Sequence, residues 1–126
     1  MFNNLLLGSQ LVSLDNNGFT VRNADGERHF IFEEDDGDCC GYNDIEVKLL
    51  ISEDEISRNP VITNIVEQDH DNASVDCDSL TITLFGESKL LAQINSCSSS
   101  GSGWQYGATV TCRCIETHEE ETITSW

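Results

Sequence analysis

The chain has 126 residues, 38% of them apolar, and carries 23 acidic against six basic side chains for a formal net charge of -17. Such a length suits one domain with one core. The charge argues against direct binding of DNA, RNA or an anionic membrane, because each approach to phosphate is a like-charge encounter, and favours a cationic partner: a basic groove on another protein, a polyamine or a divalent metal.

At the amino terminus, MFNNLLLGSQ has a three-leucine run without a positive n-region or an A-x-A cleavage site, and no apolar run approaches the length of a membrane span. A soluble, intracellular protein is expected, in which the six cysteines are thiols or metal ligands rather than disulfides. The next segment reads as a β-meander, since short alternating runs are punctuated by the hairpin dipeptides Asn17-Gly18 and Asp25-Gly26. Leu11 to Asp15, Phe19 to Asn23 and Arg28 to Glu33 are its strands, with Phe19 and Val21, then Phe30 and Phe32, on one face. The acidic loop EEDDGDCCGYND follows. IEVKLLI then alternates, with Ile45, Val47, Leu49 and Ile51 inward and Glu46 and Lys48 outward. Ser52 and Glu55 have the spacing of a capping box for a helix of barely two turns, which Asn59-Pro60 ends.

VITNIVEQ and LTITLF supply two strands rich in β-branched residues, separated by the polar loop QDHDNASVDCDS. Leu90 to Ser98 and Trp104 to Ile115 read as a long hairpin closed by SSSGSG. Period two puts Trp104, Tyr106, Ala108, Val110, Cys112 and Cys114 on one face, matched by Leu90, Ala92 and Ile94, and turns Cys97 away from Cys112 and Cys114. Residues 116–126 are expected as an acidic tail. The expected fold is mainly β: an antiparallel sheet built of hairpins, as a sandwich or an open barrel, with about eight strands and one short helix. The alternative is α+β. A single domain is expected, with its core over about residues 5–115.

Chemistry-bearing motifs are few. Cys112 and Cys114 in C-x-C spacing raise the question of zinc, but the chain lacks the C-x₂₋₄-C knuckles of zinc sites, and the two residues read as small apolar members of a sheet core. Cys39 and Cys40 are neighbours whose side chains leave an extended backbone on opposite sides, and the five carboxylates upstream raise rather than lower a thiol pKa. EEDDGD suggests calcium, yet an EF-hand alignment puts Phe32 at the first ligand position and fails; a calcium site of another kind stays open beside a solvated loop. His29, His70 and His118 lie in polar or acidic surroundings that favour protonation. No G-x-S-x-G, P-loop or H-E-x-x-H motif is present. Tyr42, Trp104 and Tyr106 stand beside glycines, as interface anchors or as caps on the sheet core.

Read in order, DGDCCGYNDIEV, ISRNPVI, ITLFGESKLLAQI and SSSGSGWQYGATVTC, within residues 28–115, resemble an uncharacterised family of small acidic proteins encoded by tailed bacteriophages, especially those of actinobacteria. The most specific parts are the DCC segment with the strand after it, F-G-E-[SA], and S-G-S-G-W-x-Y-G. The resemblance implies a phage accessory protein acting in the host bacterial cytoplasm, and supplies no catalytic residue, cofactor or partner. Phage proteins of this size are often stoichiometric inhibitors of host enzymes or defence systems, and acidity suits those that occupy nucleic-acid grooves; that step is analogy.

The leading expectation is therefore a non-enzymatic binding protein, without cofactor or metal, that blocks a basic surface of a host protein. Glu33, Glu34, Asp35, Asp36, Asp38 and Asp44, with the 67–78 loop, steer the encounter, while Tyr42, Trp104 and Tyr106 set its lifetime. The alternative is a module sequestering a small molecule or divalent cation between Asp38 to Asp44 and Ser98 to Tyr106. An enzyme of unknown reaction stands third.

Overall fold

A computed structural model describes residues 6–35, 42–69, 77–99 and 108–125. The first three strands form the expected meander, β1 (Gln10–Asp15), β2 (Gly18–Asn23) and β3 (Gly26–Asp35), with each turn one residue earlier than expected, at Asn16-Asn17 and Ala24-Asp25. The Asp15 carboxylate closes the first turn by accepting from the Asn17 and Gly18 N–H groups at 2.7 and 3.0 Å. Gly18 is required there, since a Cβ would sit 1.9 Å from the Phe30 carbonyl oxygen. Phe19 pairs with Phe30 across the strands, their rings stacked 4.7 Å apart.

The remaining elements are β4 (Tyr42–Leu49), α1 (Glu53–Ile56), β5 (Asn64–Asp69), β6 (Cys77–Phe85), β7 (Leu90–Ser99), β8 (Thr109–Cys114) and β9 (Glu120–Ser125). In α1 the Ser52 hydroxyl accepts from the Glu55 N–H at 3.2 Å, the capping expected. The helix is one turn, shorter than expected, and Asn59, at φ 51°, turns the chain out before Pro60. The described strands make two antiparallel sheets, β1-β2-β3-β8-β9 and β4-β7-β6-β5. The protein is thus mainly β, with one short helix named among the described residues. Leu11, Val21, Phe30, Val110 and Cys112 of one sheet and Ile82, Leu84, Ala92 and Ile94 of the other join in one buried apolar cluster, so the sheets pack face to face. Burying each larger side chain contributes roughly 1.5–3 kcal/mol.

Three further expectations are corrected. β7 and β8 do not form a hairpin: β7 lies between β4 and β6, and β8 between β3 and β9 in the other sheet. Parity sorts faces but does not choose neighbours. Beside β3, the small thiols of Cys114 and Cys112 lie opposite the large rings of Phe30 and Phe32. Leu90, expected inward, is 43% exposed, because a register shift pairs Leu84 with Ala92 and Phe85 with Leu90, making Leu91 the extra residue and burying it beside Ala92. The segment expected as an acidic tail contains β9, whose register shift against Val110 and Thr111 turns both Ile123 and Thr124 inward. No helix among the described residues is long and apolar enough to cross a membrane.

Candidate functional site

Antiparallel pairing brings the termini of six strands to one end of the sandwich. Asp35 at the end of β3 pairs with Thr109 at the start of β8, which pairs with Ser125 at the end of β9. In the facing sheet, Tyr42 and Cys77, the first residues of β4 and β6, both pair with Ser99 at the end of β7. The Ser125 N–H donates to the Asp78 carboxylate at 2.9 Å, which joins the two sheets at this end. Glu33, Glu34, Asp35, Asp44 and Asp78 are gathered there, and all but the half-buried Asp78 are exposed.

A buried chain of polar groups fixes this end. The Ser96 and Thr124 hydroxyls lie 2.7 Å apart, Thr124 and Ser98 2.8 Å, and Ser98 donates to Asn43 Oδ1 at 2.7 Å. Asn43 Nδ2 in turn donates to the Asp35 carbonyl at 2.8 Å. Each hydroxyl has one proton, so the bond from Ser98 to Asn43 orients the chain: Ser96 donates to Thr124, Thr124 to Ser98, Ser98 to Asn43. The relay crosses from β7 to β9 and back through β7 and β4 to β3, and so sets the backbone from which the carboxylates project. Its three hydroxyl residues are almost wholly buried. Breaking one member strands the next, which makes the arrangement specific as well as stable.

Electrostatically this end is poor in counter-ions. Glu33 accepts from Arg113 Nε at 2.6 Å, and that bond raises the Arg113 pKa further above its ordinary value. Glu46, one row inward from Asp44 on β4, has Lys48 at 3.2 Å. Glu34, Asp44 and Asp69 have no cationic partner among the described residues. On the outer face of the second sheet, Asp44 and Glu46 border a shallow depression of about 260 Å³ floored by Ser79, Thr81, Asn95 and Cys97. Cys97 therefore faces away from Cys112 and Cys114, as parity required.

The expected contact residues divide accordingly. Glu33, Glu34, Asp35 and Asp44 come together; Asp36, Asp38, Trp104, Tyr106 and the Tyr42 side chain lie outside the described residues, as do Cys39, Cys40 and His70. Cys112 and Cys114 are fully buried. Burial, and then Glu121 and Cys114 alongside, push the Cys112 thiol up to about 12, so it is protonated at neutral pH and unsuited to nucleophilic attack. Among the described residues no three His, Cys, Asp or Glu side chains are grouped to hold a metal ion. His29 is exposed and held by Glu116, which lies 2.7 Å from its Nδ1 and accepts from its backbone N–H at 2.6 Å.

Sequence reasoning missed the relay and the opposite end. In NSCSS, Ser96 and Ser98 continue the inward parity of Ala92 and Ile94, a signal of buried hydroxyls that was legible in principle. At the α1 end lies an open groove of about 450 Å³, walled by Ile51, Pro60, Val61 and Leu91. Lys89 is paired with Glu55 beside it, and the Arg58 guanidinium has no partner among the described residues. No family model, curated protein or solved structure matches the chain.

Proposed function

We propose that the chain is a phage-encoded accessory protein that acts without catalysis, by setting its carboxylate-rich end against a basic surface of a host protein in the bacterial cytoplasm. One observation carries this reading: Glu33, Glu34, Asp35, Asp44 and Asp78 project from strand ends that a buried relay holds together, with Arg113 the cation paired there. Such a surface accelerates encounter with a positive patch through long-range attraction, and the effect fades as salt screens it. A host groove that otherwise holds nucleic acid is one surface of this kind. Aromatic anchors at Tyr42, Trp104 and Tyr106 slow dissociation in this reading. The test is capture of host proteins on the immobilised full chain at low salt, identification by mass spectrometry, and repetition with the purified partner. The reading expects a partner with a basic face, released by rising salt; a partner held equally well at high salt would overturn it.

The groove at the α1 end favours a second reading, sequestration of a small molecule, at a different place from the loops expected to enclose one. Its volume falls within the range of ligand sites, and it combines apolar walls with Arg58. Native mass spectrometry of freshly purified protein tests this: a bound organic molecule lost on Val61→Asp supports it, and bare protein counts against it.

A further inference from the structure

Four of the described strands are sheet edges, and three make a hydrogen bond from the outer side. On β1 the Leu11 N–H donates to the Pro60 carbonyl at 2.8 Å, and Gln10 bridges to Val61. On β4 the Val47 N–H donates to the Asn16 side chain at 3.3 Å. On β9 the outward Ser125 N–H donates to the Asp78 carboxylate at 2.9 Å. The fourth edge, β5, is different. Apart from its pairing with β6, its one hydrogen bond among the described residues is from the Ile65 N–H to the Asn64 side chain at 2.9 Å.

That bond reveals the strand's orientation. The Ile65 amide is turned away from β6, and backbone groups alternate in direction along a strand, so the amides of Glu67 and Asp69 also face outward. An uncovered edge invites pairing with another strand. Two copies of this chain would bring Glu67 and Asp69 against their own like charges, whereas a basic strand would meet them with opposite charge. On the other face of β5 stand Val66, 44% exposed beside Thr83, and Gln68, beside Thr81.

We propose that β5 accepts an extended basic segment of the target as an antiparallel fifth strand of its sheet, with Lys or Arg opposite Glu67 and Asp69 and apolar or small residues at the alternate positions. The inference rests on the reading of the protein as a binder of basic surfaces, and names the part of the target recognised. Main-chain bonds would supply affinity, and the two carboxylates would select sequence.

The probe is an acetylated, amidated octapeptide alternating lysine and valine, titrated into the full chain by calorimetry and amide NMR. The expected result is binding, with the largest shifts in Asn64–Asp69. N-methylation of the lysine amides, which face β5 in this pairing, abolishes binding, while N-methylation of the valine amides is tolerated. Glu67→Gln with Asp69→Asn weakens binding about two- to tenfold at low salt. Glu67→Pro removes an outward donor and weakens it further. No binding to the unaltered chain, or binding indifferent to which amides are methylated, overturns the proposal without relying on any variant to fold. Should a captured host partner bind in a salt-dependent way and be displaced equally by the parent and the lysine-methylated peptide, the edge proposal falls and the proposed function stands. Should the peptide pair with β5 while the captured partner proves insensitive to salt, the proposed function falls and the edge proposal stands.

Discussion

The two ends of the sandwich solve the same problem with different materials. At the α1 end, Leu6, Ile62, Leu84 and Leu91 are buried, and the surface above them carries Arg58, the Lys89–Glu55 pair and exposed Leu50, Val61 and Leu90. At the other end the interior is hydroxyl to hydroxyl, through Ser96, Thr124 and Ser98, and the surface is crowded with carboxylates. Apolar packing is non-directional and tolerates repacking, whereas a relay of single protons holds its members in one arrangement. The end whose charges repel one another is the end fixed by directional bonds. That difference teaches where rigidity is spent: on presenting carboxylates that would otherwise spread apart.

The largest effect should come from the apolar end. Ile62→Ala removes a fully buried side chain and should cost about 2–5 kcal/mol in denaturant unfolding; a loss below about 1 kcal/mol would show that this end is not the main store of stability. Thr124→Val should cost less, about 1–3 kcal/mol, because it keeps the shape but leaves Ser96 without an acceptor and Ser98 without a donor. If Thr124→Val were neutral, the relay would not organise the acidic end, and the contrast between the ends would fail.

Smaller still is the acid dependence. The bond from Lys89 lowers the Glu55 pKa below its ordinary 4.5. Burial works against the same direction at Glu116, yet its bonds from His29 bring it below 4.5 as well. A carboxyl with a lowered folded pKa contributes stability that is present above its unfolded value and lost as pH falls through the folded one. Melting temperatures measured downward from pH 5 should therefore fall less steeply for Glu55→Gln and Glu116→Gln than for the natural chain. Parallel curves would mean that neither pair contributes.

Much of this architecture was legible in the sequence, and what escaped has physical causes. Asn17-Gly18 and Asp25-Gly26 announce their hairpins to within one residue, since the turns are Asn16-Asn17 and Ala24-Asp25 and each glycine opens the next strand, and Ser52 with Glu55 announces α1. Burial of Val110, Cys112 and Cys114 follows from period two alone. Neighbour choice is not local: nothing within Leu90 to Ile115 says that β8 will prefer the rings of Phe30 and Phe32 to β7. The register shifts at Leu84 and Val110 reverse parity for the residues beyond them, which concealed Leu91 and Thr124. β9 was hidden because it opens on Glu120 and Glu121 and only Ile123 and Thr124 of its side chains turn fully inward. In the candidate site, the charge of Glu33 to Asp35 was plain, but its meeting with Asp78 depends on pairing between distant strands.

The central claim is that the location of the carboxylates, more than their number, directs association. Two triple variants with the same change in net charge test it: Glu34→Gln, Asp35→Asn and Asp44→Asn at the acidic end, and Glu53→Gln, Asp54→Asn and Glu87→Gln at the α1 end. The decisive measurement is the association rate constant with the purified, captured partner at low ionic strength, by stopped flow. The account predicts that the first variant slows association about tenfold or more with a flatter salt dependence, while the second stays within about twofold of the natural chain. Equal slowing by both variants would contradict it, because net charge alone would then direct the encounter.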